Sequence, residues 1–197
     1  MRRVADASAA TRASDDRLVW VDLEMTGLDV EHDVIVEIAC IVTDASLDAL
    51  DDGVQLVVHA DAGTLARMSD FVREMHTKSG LMPEIERSPV DVAAAQAAAF
   101  EYVKQHVPAA STAPLCGNSI GTDRRFLARY MTDFDEYLHY RSIDVSSLKE
   151  LCRRWYPEIY RKRPGKAEHH RALADIRESI EELRFYRANL LIPPPPT

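Results

Sequence analysis

The sequence predicts a mixed α/β domain, and three observations carry that prediction. Segments rich in apolar and β-branched residues fill the first third of the chain, with short links between them. Helix-like and strand-like segments then alternate. A long helix with an apolar stripe comes last. Three strands followed by alternating elements are the pattern of one sheet with helices packed on it.

Each element has its own signal. LVWVDLEM, Leu18–Met25, is the first strand, and a turn follows through Thr26, Gly27, Leu28 and Asp29. DVIVEIACIVTD, Asp33–Asp44, is rich in β-branched residues and reads as a long second strand. Asp51, Asp52 and Gly53 turn the chain into VQLVVHA, a third strand. Links this short predict an antiparallel meander. SDFVREMHTKSG, Ser69–Gly80, opens on a Ser N-cap and stops at a glycine, so it reads as a helix. From Ser88 the stretch SPVDVAAAQAAAFEYVKQHV predicts another, with Ser88 as cap, proline at the first helical position and an alanine-rich body.

Ala113–Cys116 reads as a short buried strand, followed by a loop and a helix from about Ser119. Tyr140–Asp144 is the last strand, and VSSLKELCRRWY is a helix after it. RKRPGKAEHH is a basic loop. The closing helix runs from about Arg171 to Asn189, with Leu173, Ile176, Ile180 and Leu183 as its core stripe. One domain spans residues 17–191. Residues 1–16 read as a disordered leader without the apolar middle of a signal peptide, and 192–197 as an extended proline-rich tail.

Composition narrows the class. Of 197 residues, 46% are apolar and 28% charged, as in a soluble globular domain that needs no disulfide staple. Cys40, Cys116 and Cys152 are odd in number and lack metal-ligand spacing, so they read as reduced thiols in a cytoplasmic protein. No apolar run is long enough to cross a membrane. The net charge of −8 argues against coating a long nucleic acid, which takes many phosphate contacts, but leaves room for a small anionic ligand at one local site.

Three stretches carry chemistry. Asp22 and Glu24 sit two apart in the first strand and so share a face with Leu18 and Trp20. Two anions so placed repel each other and lose hydration, which calls for positive charge nearby. A solvent face paired with Lys or Arg explains them equally well. In GNSIGTDRRF, Asp123 falls in the first turn of a helix that starts at a strand end. Alone it is a dipole partner, although backbone N–H groups near Ser119 suit a phosphate. In HHRALADIRES, His170 and Asp175 are five apart and meet only if His170 lies in the loop or first turn. His169 competes with it for any role, and a lone loop histidine is ordinarily surface.

Asp-x-Glu, then Asp, then His-x4-Asp resembles the DEDDh exonucleases of the ribonuclease-H-like superfamily. LVWVDLEMTGLD, HTKSGL, CGNSIGTDRRFL, HYRSIDVSSLKEL and ADIRESIEELRFYR, spread from Leu18 to Leu190, resemble the oligoribonucleases among them. The resemblance implies a ribonuclease-H-like α/β fold, a mixed five-stranded sheet flanked by helices. It implies Asp22, Glu24, Asp123 and Asp175 as ligands of two divalent ions, Mg²⁺ or Mn²⁺, and His170 as general base. It implies 3′-to-5′ hydrolysis of short RNA by a cytoplasmic homodimer. Ser119, Arg141 and Ser146 match positions that hold the substrate's 5′-phosphate. His76 and Tyr140 match positions that reach across from a second subunit. Leu28 matches an apolar wedge between bases, and Phe71 stands where the family pattern has Trp.

Overall fold

The computed structural model describes residues 16–165 and 170–192. The leader, the proline-rich tail and His169 fall on residues outside these ranges, apart from the flanking positions 16 and 192.

A five-stranded sheet forms the centre of the molecule. β1 (Leu18–Met25), β2 (Ile35–Thr43) and β3 (Val54–Val57) are the antiparallel meander, and β1 then pairs in parallel with β4 (Pro114–Gly117), and β4 with β5 (His139–Asp144). The strand order is β3-β2-β1-β4-β5. The first parallel crossover carries four helices, α1 (Ala62–Ala66), α2 (Asp70–Lys78), α3 (Met82–Arg87) and α4 (Val92–His106). The second carries α5 (Gly121–Tyr130) and α6 (Thr132–Tyr137). After β5 come α7 (Val145–Trp155), α8 (Pro157–Tyr160) and α9 (Ala172–Leu190).

The period of two along β1 divides the core. Val19, Val21 and Leu23 pack with Ala95, Ala99 and Val103 of α4 and with Phe126 and Leu127 of α5. Trp20 faces the other way, among Ala39, Ile41, Cys116 and Ile176, Ile180 and Tyr186 of α9. Burying the indole also buries its N–H, which donates to Thr43 Oγ1 at 3.1 Å. Asp22 and Glu24 continue the Trp20 face, so the fold aims them at the N-terminal end of α9. The interior strand β2 is buried at all nine positions, as a strand covered on both faces must be.

The structure corrects the start of α4. Ser88 is not its cap: the Ser88 hydroxyl donates to the Val57 carbonyl at 2.6 Å, and the helix begins only after Asp91, whose carboxylate accepts the Ala94 N–H at 2.8 Å. Ser-Pro-Val-Asp holds two residues able to cap, and the third strand claims the first. Because Asp91 satisfies one of the orphan N–H groups of α4, Asp91→Ala is expected to cost about 1 kcal/mol of stability in a denaturant titration.

Candidate active site

β1 extends past the end of β4, and this overhang creates the site. Pairing with β4 covers Val19 and Trp20 of β1, and β4 ends at Gly117. Beyond that point the Leu23 N–H has no strand to bond. Asp123, in the first turn of α5, accepts it through Oδ1 at 3.0 Å. From the other side comes Asp175 in the first turn of α9, where the helix dipole favours an anion. Asp22, Glu24 and Asp175 bring one carboxylate oxygen each to within 4.8 Å of one another. Asp123 is the partner of a backbone amide, not a member of this triplet, but its charge reaches Glu24.

So many carboxylates in one half-buried place cannot all be ionised. Burial first, then the charges of Asp175, Glu37 and Asp123, push Glu24 up to about 8. Burial pushes Asp123 up to about 7, against the lowering effect of the Leu23 amide. Hard oxygen donors held at this spacing fit a divalent cation, whose charge removes the repulsion that raises Glu24.

The histidines occupy two different places. His170 stands just ahead of α9, as the five-residue spacing from Asp175 requires, with its backbone in the left-handed region at φ 47°. A side chain other than glycine pays about 1–2 kcal/mol for that conformation. With Phe71, Met75, Lys78, Arg171 and Ala174, His170 lines a cleft of about 750 Å³ beside the first turn of α9. His76 is wholly buried in its own chain, and this does not accommodate the expected reach into a second subunit. Its Nε2–H donates to the Met25 carbonyl at 2.9 Å, at the point where β1 slips register against β2. Its Nδ1 lies 3.8 Å from Glu24 Oε2. Burial lowers its basicity.

The residues expected at the 5′-phosphate fall into two groups. Ser119 Oγ and Ser146 Oγ lie 3.2 Å apart where β4 and β5 end. The Ser119 N–H, expected to suit a phosphate, instead donates within the protein to Asp144 Oδ1 at 2.9 Å and Ser146 Oγ at 3.0 Å. Asn118 joins this corner to α9: its amide donates to Ser179 Oγ at 2.7 Å, and its Oδ1 accepts from Ser146 Oγ at 3.0 Å. Ser179 Oγ in turn donates to the Asp175 carbonyl at 2.8 Å. Arg141 lies on the outer strand β5, its guanidinium 5.4 Å from the centre of the Tyr140 ring. Leu28, Phe71 and Tyr140 are 69%, 75% and 74% exposed.

Two residues at this site have no counterpart in the sequence-based assignment. Asn118 is one. The other is Glu37 on β2, which is directly opposite Glu24 and wholly buried. Its signal is the same as that of Asp22 and Glu24, an acid inside an apolar strand.

The raised carboxyl groups couple stability to pH. Folded Glu24 keeps its proton up to about 8, while in the unfolded chain it gives it up near 4.5. The folded state therefore binds more protons over that window, and stability is expected to fall as pH rises through it. Melting temperatures in chelator should drop between about pH 5 and about pH 8.5, and Mg²⁺ or Mn²⁺ should restore them most at the upper end.

Comparison with known proteins agrees with this geometry. Residues 19–183 match the RNase_T exonuclease family. The oligoribonuclease of Mycobacterium leprae (strain TN) is 57% identical over 180 residues, covering 91% of this chain and 84% of that protein. Those of Mycobacterium bovis (strain BCG) and Mycobacterium tuberculosis (strain CDC 1551) are 58% identical over the same span. Among solved structures, exonuclease I of Methylocaldum szegediense superposes with a TM-score of 0.60 at 17% identity, covering 88% of this chain and 41% of that one. The metal-free E. coli exonuclease I complex with single-stranded DNA gives 0.62 at 15%, over 89% of this chain and 40% of that one. At such identities the structures speak for the ribonuclease-H-like fold alone. Family match and close relatives together make this chain a member of the RNase_T exonucleases, among the oligoribonucleases.

Proposed function

We propose that the chain hydrolyses short oligoribonucleotides, dinucleotides included, from the 3′ end to nucleoside 5′-monophosphates. The observation that carries the reading is the convergence of Asp22, Glu24 and Asp175 from opposite ends of the chain to within 4.8 Å. Asp22, Glu24, Asp123 and Asp175 hold two divalent cations, Mg²⁺ or Mn²⁺. Bound there, the cations supply the positive charge that makes an attacking water more acidic and stabilises the leaving oxygen.

The remaining work falls to side chains of this protein. His170, exposed to the cleft, takes the proton of the attacking water, a task that suits an imidazole near neutral pH. The water oxygen attacks the phosphorus of the 3′-terminal phosphodiester in line, its bond to the 3′-oxygen of the preceding nucleotide breaks, that oxygen takes up a proton from solvent, and a nucleoside 5′-monophosphate is released. Ser119 and Ser146, with Arg141, hold the 5′-phosphate of the substrate. A guanidinium grips such a group with two donors. A closed phosphate site leaves no room for a further nucleotide, so longer chains are rejected. Leu28 and Phe71, both exposed, stack against the bases, Phe71 with less surface than a Trp offers. A second copy of the chain completes the site, and the exposed Tyr140 on the edge strand is the residue it contributes.

Asp22→Ala is expected to abolish cutting, because a cation loses its ligand. His170→Ala should slow hydrolysis by at least about a hundredfold while Mn²⁺ still raises the melting temperature. A labelled 5′-phosphorylated dinucleotide should be cut faster than a long oligomer. Equal or faster cutting of the long substrate overturns the closed phosphate site and favours a DNA-trimming or proofreading activity on the same acids. No turnover with either cation favours a silent nucleotide-binding protein.

A further inference from the structure

Glu37 gathers an unusual number of donors. Its Oε1 accepts from Arg171 Nη2 at 2.9 Å, Arg171 Nε at 3.1 Å and Gln55 Nε2 at 2.6 Å. Its Oε2 accepts the backbone N–H of Ala172, the first residue of α9, at 2.9 Å. Arg171 also reaches Glu84 on α3, with Nη1 to Oε1 at 3.1 Å and Nη2 to Oε2 at 2.9 Å. One wholly buried carboxylate thus ties β2, β3 and the start of α9 together, and Arg171 carries the link on to α3.

The place of this clamp matters more than its strength. A buried ion pair is a weak source of stability, because desolvation offsets the attraction, but it fixes geometry well. Arg171 is the residue after His170, and His170 holds a left-handed backbone. Such a conformation persists only where its surroundings impose it. The clamped residues Arg171 and Ala172 are those surroundings on the C-terminal side. Glu37 also faces Glu24 across the β1–β2 pair, where the charge of Glu37 raises the Glu24 carboxyl and that of Arg171 lowers it.

We propose that Glu37 is a positioning residue for hydrolysis: through Arg171 and the Ala172 N–H it imposes the backbone of His170 and aims the imidazole into the cleft. The proposal rests on the reading of His170 as the base. Glu37 touches no substrate and carries no proton in the reaction.

The test is a double-mutant cycle on dinucleotide hydrolysis at saturating Mn²⁺, with Glu37→Gln, His170→Ala and both together. Glu37→Gln keeps an acceptor and loses the charge that holds the fork. It is expected to lower kcat by about thirtyfold with KM within about threefold, and to cost less than about threefold when His170 is already alanine. A merely structural role multiplies the two losses in full, and that result overturns the proposal, as does a kcat for Glu37→Gln within about threefold of the parent. His170→Ala alone separates the two readings. A loss under about tenfold removes the base and this proposal with it, whereas a large loss beside a harmless Glu37→Gln removes only the role of Glu37. Arg171→Lys covers the case in which Glu37→Gln does not fold. It keeps the charge and loses the fork, so the same non-additive pattern is expected, and full activity overturns the proposal.

Discussion

Repulsion among carboxylates at the junction of β1 and α9 is the constraint on which this structure depends. Asp22, Glu24 and Asp175 lie within 4.8 Å of one another, with the charges of Asp123 and Glu37 close enough to raise Glu24 further. A fold selected for stability alone would place Leu or Val at these points. The face they occupy shows as much: Trp20, two residues earlier, is wholly buried among the side chains of α9. The same face turns from core to anion site along one strand, and the cost in repulsion is one that a divalent cation would offset.

The sheet order explains how residues so far apart in sequence meet. Placing β1 at the centre, between β2 and β4, puts its end beside the first turns of α5 and α9. The short β4 ends before β1 does, and the Leu23 amide that β4 leaves unpaired becomes the anchor for Asp123. α9 returns across the face that carries Trp20, with its N-terminus at the acids. Each acid therefore stands on a strand or in the first turn of a helix, and its position follows from backbone geometry more than from loop conformation.

Much of this was legible in the chain. LVWVDLEM reads as a strand with both acids on one face, and β1 has those bounds. The stripe of Ile176, Ile180 and Leu183 identifies the buried side of α9, and it faces β1 and β2 as a last helix must. Legibility fails where the signal is short or where two elements compete for one residue. The helices Ala62–Ala66, Met82–Arg87, Thr132–Tyr137 and Pro157–Tyr160 are too brief to show a period. Ser88 and Asp91 both have cap chemistry, and only the approach of the third strand decides between them. His76, which the resemblance matches to a position reaching across from a second subunit, is turned inward by helix α2 onto the Met25 carbonyl, a placement that the sequence of a short helix does not fix. Glu37 was hidden by its own burial, since one acid in an apolar strand does not say what it holds.

A chain of hydrogen bonds connects the two ends of the proposed substrate site. Ser146 donates to Asn118, Asn118 donates to Ser179, and Ser179 donates to the carbonyl of Asp175. Ser119, beside Asn118, holds a left-handed backbone, as His170 does at the other end. Two non-glycine residues in that conformation, one at each end, are strain that neighbouring bonds must sustain. On the proposed reading Ser119 and Ser146 meet the 5′-phosphate and Asp175 holds a cation at the scissile linkage. The separation between those points is then set by a network of half-buried polar groups anchored on α7 and α9. On that reading short RNA is selected because both its ends are held at once, and the network would be as much a part of selectivity as the side chains proposed to touch phosphate.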